Sequence, residues 1–276
     1  MAEIIAVANQ KGGVGKTTTA VNLSAALANL GFETLLIDLD PQGNATSGVG
    51  FDKRAYDPNV YNVMVELLPL EKTIKETALP RLHVVGANAH LAGAEIELVS
   101  ALARESRLKG ALTAIKSRYR FIIIDCPPSL GLLTINALNA ADRVIMPIQG
   151  EYYAMEGLAQ FIDAINRIKG ALNPNLALEG GVLTMFDARM TLSNQVKEEV
   201  TKFFGERMFQ AIIPRNIRIA EAPGFGQSIF QYDAKSKGAE AYLAFAQELL
   251  SRRGLYQSSA APQPPETVHP ETVENP

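Results

Sequence analysis

The residues with most chemistry to offer stand together near the start of the chain: Lys11-Gly12-Gly13-Val14-Gly15-Lys16-Thr17-Thr18. An apolar run, Ile4-Ile5-Ala6-Val7, precedes them and a helical pattern follows, so the stretch is expected to run strand, glycine loop, helix. Glycines allow a tight turn that points backbone N–H groups inward, and a helix N-terminus adds partial positive charge. Together these suit a polyphosphate. In such a cradle, built from Gly12, Gly13, Val14, Gly15 and Thr18, Lys16 would reach the β and γ phosphates. Thr17 would offer its hydroxyl to a magnesium ion bridging them. A dinucleotide fingerprint fits less well, because Thr18 stands where that pattern has its last glycine.

Two further stretches bring carboxylates to the same place. Ligands of open parallel sheets bind beyond the carboxyl ends of the strands. An apolar segment from Thr34 to Leu39 leads into Asp38-Leu39-Asp40-Pro41-Gln42-Gly43-Asn44, so Asp40 is expected beside the phosphate loop. Its task there would be to orient a water or act as a weak general base, with Asp38 in a supporting position. The second stretch, Phe121-Ile122-Ile123-Ile124-Asp125, reads as a fully buried parallel strand ending in an acid. An unpaired buried carboxylate is costly, so Asp125 is expected to serve the magnesium ion alongside Thr17. Cys126 reads as a small core residue, and His83 and His90 have no neighbouring ligands that would make a metal site.

The elements that must position these groups alternate strand and helix, which predicts an α/β fold with a doubly wound, mostly parallel sheet and helices on both faces. The first helix is expected from Lys16 to about Leu30, with Ala20, Leu23, Leu27 and Leu30 on its apolar face and Gly31 at its end. Val60–Leu68 and the region from Glu71 to Glu76 read as helices, and Leu82, Val84 and Val85 as a strand. The segment from Ala94 to Lys116 reads as mixed helix, with Leu98, Leu102, Leu108, Leu112 and Ile115 as its apolar positions. A helix beginning near Leu130, a strand at Arg143–Ile148 and another helix starting at Glu151 follow. Strands at Gly181–Phe186 and Met208–Ile213 flank a helical stripe of Leu192, Val196, Val200, Phe203 and Phe204, and Gly238–Arg253 reads as the last helix.

Lysine at position 11, ahead of Gly-Gly-Val-Gly-Lys-Thr-Thr, departs from the ordinary phosphate loop, as does Gln10 where that loop has glycine. The combination resembles the deviant Walker A signature of the ParA/MinD group of P-loop ATPases. The Asp40-Pro41-Gln42-Gly43-Asn44 stretch is similar to a motif of the same group, Phe121–Asp125 resembles a Walker B strand, and the likeness runs from Ile4 to about Leu250. Within that group the chain resembles the ParA/Soj chromosome-partitioning ATPases. The resemblance implies weak ATP hydrolysis with magnesium and an ATP-bound homodimer in which Lys11 reaches the neighbour's phosphates. It also implies non-specific binding of double-stranded DNA by that dimer, and hydrolysis stimulated by a ParB-type centromere-binding protein. By the same resemblance Asp40 positions the attacking water, Pro214 and Asn216 contact the adenine, Arg189 and Arg218 lie on the DNA surface, and Glu151-Tyr152-Tyr153 approaches the dimer interface. From spacing alone Arg189 and Arg218 would be solvated, or paired with Asp187 or Glu221.

Composition sets bounds on these readings. The chain has 276 residues, 47% of them hydrophobic, enough for a full core in one domain, expected over residues 1–254. A formal net charge of −3 means that any DNA contact must come from a local patch. A single cysteine excludes an intrachain disulfide framework, suits a reducing cytoplasm, and argues against the related iron–sulfur reductases. No apolar run approaches a membrane span, so a cytoplasmic protein is expected, and the resemblance implies that it is nucleoid-associated. Residues 255–276, rich in Ser, Ala, Pro, Glu and Thr, read as a disordered tail. A MinD-like membrane-cycling ATPase would need a basic amphipathic C-terminal helix in place of that tail. A cofactor-handling P-loop enzyme would need a substrate constellation that the sequence does not display, and a nucleotide-gated DNA scaffold would show negligible turnover.

Overall fold

A computed structural model describes residues 2–150 and 154–256. Eight strands form one sheet: β1 (Glu3–Val7), β2 (Thr34–Asp38), β3 (Ile74–Glu76), β4 (Leu82–Val85), β5 (Phe121–Asp125), β6 (Arg143–Gln149), β7 (Ala177–Phe186) and β8 (Met208–Pro214). Their order is β3-β4-β2-β5-β1-β6-β7-β8, parallel throughout except for β3, which runs antiparallel on the edge beside β4. Helices α1 (Lys16–Asn29), α2 (Asn44–Gly48), α3 (Val60–Met64), α4 (Leu91–Glu97), α5 (Arg107–Leu112), α6 (Leu132–Ala140), α7 (Ala154–Ala171), α8 (Thr191–Phe204), α9 (Ile217–Glu221), α10 (Ile229–Tyr232) and α11 (Lys237–Ser251) connect and flank the strands.

Strand alternation divides the core between the two faces. Ile4, Ala6, Leu35, Ile37, Ile122 and Ile124 join the layer that holds α5, α6 and α7, while Ile5, Val7, Leu36 and Ile123 join the layer that holds α1 and α11. The doubly wound sheet expected from the sequence is therefore present, and α1 ends as expected, with Gly31 in a left-handed conformation.

Three local expectations need correction. Glu71–Glu76 is no helix: a single 3-10 turn, Leu70–Lys72, feeds strand β3, whose residues Ile74–Glu76 pair with Val85–His83. Helix α3 stops at Met64, and Leu67 adopts a left-handed backbone with φ 60°, which breaks the helix pattern read through Leu68. In the Ala94–Lys116 segment Leu98, Leu108, Leu112 and Ile115 are buried as expected, but Leu102 is 90% exposed, because the chain turns through left-handed Ala103 between two short helical pieces. The α8 stripe narrows likewise to Val196, Val200 and Phe204, with Leu192 and Phe203 at its exposed edges. Glu151, Tyr152, Tyr153 and the tail beyond Tyr256 lie outside the described residues. No helix among the described residues is long and apolar enough to cross a membrane.

The C-terminal helix is tied to the sheet by charge as well as apolar packing. Arg253, just past α11, donates to both oxygens of Glu3 on β1 (2.8 and 2.7 Å) and to both of Glu179 on β7 (3.1 and 2.9 Å). Burial alone would disfavour the Arg253 cation, but its hydrogen bonds to Glu3 and Glu179 hold its pKa above the ordinary arginine value. Removing one partner of a buried pair strands the others. Arg253→Ala is expected to lower the unfolding free energy by about 3 kcal/mol, measured by urea denaturation, with Arg143 and Arg252 near Glu179 limiting the loss.

Candidate phosphate-binding site

The sheet order places the chemistry. Strand β1 lies between β5 and β6, so the loop after Val7 emerges at mid-sheet. Val7 is in register with Asp125, and Asp125 with Asp38, so the phosphate loop and two carboxylates start from one row across three strands. Asp40, 8% exposed, follows two residues beyond that row. Topology thus brings together Lys16, Asp38, Asp40 and Asp125 from distant parts of the sequence.

The loop is held by groups that pattern reading did not single out. Asn9 accepts from the Lys11 N–H (3.0 Å) and donates to the Pro147 carbonyl (2.8 Å), which ties the loop to β6. Thr184 on β7 donates its hydroxyl to the Val14 carbonyl (2.8 Å). Gly15, which caps α1, has φ 83°, a conformation that disfavours any side chain. The Lys16 ammonium, nearly buried, donates to the Lys11 carbonyl at 2.8 Å. Burial lowers the pKa of Lys16, while Asp125, Cys126 and Asp40 oppose that shift. The only sequence signals for Asn9 and Thr184 are their types at strand ends, where many polar residues stand.

The carboxylates differ in how they are satisfied. Asp38 is fully buried; its Oδ2 accepts from the Thr46 N–H and hydroxyl (both 2.7 Å) and its Oδ1 from the Asp40 N–H (3.2 Å). Burial raises its pKa to about 6, against the lowering effect of those bonds. It is a structural anchor, as expected. Asp125 is equally buried, yet neither of its oxygens has a hydrogen-bond partner of good geometry. Burial raises its pKa well above the carboxylate range, the nearby Asp38 charge adds to this, and Thr17 and Lys16 act against it. Two orphaned carboxylate oxygens beside a threonine hydroxyl fit magnesium, which takes oxygen ligands and needs few from the protein when phosphates and waters supply the rest. Among the described residues no group of three His, Cys, Asp or Glu side chains forms a metal cage.

Beside the loop lies a cavity of about 280 Å³ whose walls include Gly15, Thr18, Pro214, Asn216, Met185 and Tyr242. The structure thus brings Pro214 and Asn216 to the phosphate loop. Asn216 also caps α9 by accepting from the Ile219 N–H (3.2 Å), and Met185 has a left-handed backbone with φ 50°. Arg189 and Arg218 stand apart from this site. Arg189 makes a two-pronged pair with Asp187 (2.9 and 2.6 Å) and leaves 89% of its side chain exposed. Arg218 pairs with Glu221 (3.1 Å) and Asp233 (3.6 Å). The ion pairs that spacing alone suggested are therefore both present.

A family model described as an AAA domain matches residues 2–178. The sporulation initiation inhibitor protein Soj of Bacillus subtilis is 53% identical over 249 residues, covering 90% of this chain and 98% of Soj. The chromosome partitioning protein ParA of Myxococcus xanthus is 51% identical, covering 90% of this chain and 88% of ParA. The chain belongs to the Soj/ParA chromosome-partitioning family. Membership places it among the P-loop ATPases, and solved structures agree. A structure titled cobyrinic acid a,c-diamide synthase from Mycobacterium smegmatis, with bound ADP and magnesium, superposes with TM-score 0.81 at 38% identity, covering 92% of this chain and 96% of that one. The cell division ATPase MinD of Pyrococcus furiosus superposes with TM-score 0.75 at 25% identity, covering 91% and 100%. The expected family and fold are thus both found.

Proposed function

We propose that this Soj/ParA protein is an ATP-driven DNA-segregation switch of the cytoplasm and nucleoid. One observation carries the reading: Lys16, Asp40 and the unpartnered Asp125 converge on a single glycine loop in a chain half identical to named partitioning proteins. The Lys16 ammonium and the N–H groups from Gly12 to Thr18 hold the β and γ phosphates of ATP, and Pro214 and Asn216 hold the adenine in the adjoining cavity. Thr17 and Asp125 would hold magnesium, which would supply charge neutralisation at the phosphates. Asp40 orients the attacking water. Lys11 serves the phosphates of a second copy, so ATP closes a homodimer. That dimer binds double-stranded DNA without reading bases, and a ParB-type protein stimulates the hydrolysis that releases it.

Arg189 and Arg218 supply part of the DNA surface. Their own carboxylate partners do not preclude this, because exposed ion pairs contribute only about 0–1 kcal/mol and phosphate contacts gain from counterion release. DNA binding measured over a salt series without nucleotide, with ADP and with ATP tests the switch; equal affinity in all three states would overturn it. Replacing Arg189 and Arg218 together with alanine is expected to weaken ATP-dependent DNA binding and to reduce the salt slope by about 2, with ATP affinity unchanged. An unaltered slope excludes the patch.

The 38% identity to a protein titled cobyrinic acid a,c-diamide synthase supports a second reading, a P-loop enzyme that uses ATP to act on a small substrate. The partitioning relatives are more similar in sequence, and the first reading is preferred on that ground. ATP turnover that rises with cobyrinic acid and not with DNA would reverse the choice.

A further inference from the structure

The loop that carries Asp40 is gripped from outside by a lysine. Inside the loop, the Asp40 N–H donates to Asp38 (3.2 Å), the Asp40 carboxylate accepts from the Gln42 N–H (2.9 Å), and the Asp40 carbonyl accepts from the Gly43 N–H (2.9 Å). The peptide unit between Gln42 and Gly43 therefore binds Asp40 at its N–H end. At its carbonyl end it accepts from the Lys53 ammonium at 2.6 Å, and Lys53 also donates to the side-chain oxygen of Asn44 at 3.2 Å. Gly43 has φ 62°, and a Cβ there would meet the Ala87 carbonyl at 2.8 Å and the Lys53 stem at 3.0 Å. Gly43 thus sits close to the Ala87 carbonyl, just past β4, on one side and to the Lys53 stem on the other.

We propose that Lys53 is a positioning residue for hydrolysis, which acts on Asp40 through the Gln42–Gly43 peptide. Asp38 fixes the loop from inside the sheet, at its start through the Asp40 N–H and just beyond its far end through Thr46, whereas the Gln42 carbonyl between them is held by Lys53. The ammonium, bonded to Gln42 and Asn44 on either side of Gly43, ties the stretch between those two anchors from the solvent side. Its place between two open cavities supports this. One contains Thr17 and Thr18 of the phosphate loop and the other contains Pro41 and Gln42, so Lys53 is a wall shared by the nucleotide side and the Asp40 side. A hydrogen bond from a charged donor is among the stronger kinds, and near-attack geometry is sensitive to small displacements, so losing the clamp should show in the chemical step more than in nucleotide affinity.

The proposal rests on Asp40 as the water-orienting residue, and the test separates the two. Steady-state hydrolysis of magnesium-ATP is measured for wild type, Lys53→Met, Lys53→Arg, Asp40→Ala and the Lys53→Met/Asp40→Ala double variant, with thermal melting of each. Lys53→Met, which keeps most of the stem, is expected to lower kcat about tenfold with KM and melting temperature little changed. Lys53→Arg should restore most of the rate. In the Asp40→Ala background Lys53→Met should have no further effect. An unchanged kcat for Lys53→Met, a parallel loss of kcat, KM and melting temperature, or an undiminished effect in the Asp40→Ala background overturns the role of Lys53 and leaves Asp40 standing. Wild-type hydrolysis by Asp40→Ala overturns both.

Discussion

Lys16→Ala is expected to abolish ATP binding. Its ammonium is a cation that the loop sets beside Asp40 and Asp125, and a polyphosphate adds several more negative charges to that neighbourhood. Without Lys16 the carboxylates face the phosphates with one neighbouring cation fewer. Truncating one member of a buried charge pair costs about 2–5 kcal/mol, and each 1.4 kcal/mol is tenfold in affinity, so the dissociation constant should rise at least about a hundredfold. The fold itself should persist, because Lys16 makes its hydrogen bond to the Lys11 carbonyl of a loop that Asn9 and Thr184 also hold, and burying the ammonium already works against its charge. Titration calorimetry with magnesium-ATP, paired with thermal melting, checks this. Binding within a few-fold of wild type would remove Lys16 from the phosphate site.

The same geometry shows why some of the site was legible in the sequence. The glycine loop, Asp40 and Asp125 each stand at the end of a hydrophobic strand, and strand ends are the positions that a parallel sheet turns toward one edge. Asp125 drew attention for a further reason: an acid after four buried residues is costly without a partner, and neither of its oxygens has a hydrogen-bond partner of good geometry. Asn9, Thr184 and Thr46 were not legible. Each acts through a hydrogen bond to a backbone or carboxylate brought close only by tertiary structure, as Thr184 does to Val14, 170 positions away in sequence. Local pattern carries no trace of such a pairing.

The failures in the fold have a similar cause. Leu67 and Ala103 adopt left-handed backbones that helical periodicity cannot anticipate for a leucine or an alanine, and both lie where short helical pieces are broken. Strand β3 has three residues, two of them charged, so its place on the sheet edge comes from pairing with β4 rather than from its own pattern. Arg189 and Arg218 pose a different problem. Both the ion pairs and the family resemblance were readable from sequence, and an exposed arginine in a weak pair is compatible with either role, so only a binding measurement separates them.

Asp40→Ala is expected to retain ATP while losing hydrolysis. Unlike Lys16, Asp40 faces the attacking side of the reaction in this assignment, so its removal should leave ground-state binding in place. Positioned proton transfer and water orientation contribute about 10²–10⁴-fold, so turnover should fall on the order of a hundredfold or more. On the proposed switch, a dimer that cannot hydrolyse ATP has no route to release, so an ATP-dependent DNA complex should accumulate and survive dilution. Alanine also removes the acceptor for the Gln42 N–H, which could loosen the loop rather than delete the chemistry. Asp40→Asn resolves this, since its amide oxygen can still accept from Gln42 while the negative charge is gone. Equal loss of turnover in both variants, with ATP affinity retained, identifies the carboxylate itself as the water-orienting group. Near-normal turnover in Asp40→Asn would show that the loop conformation, and not the carboxylate, sets the rate.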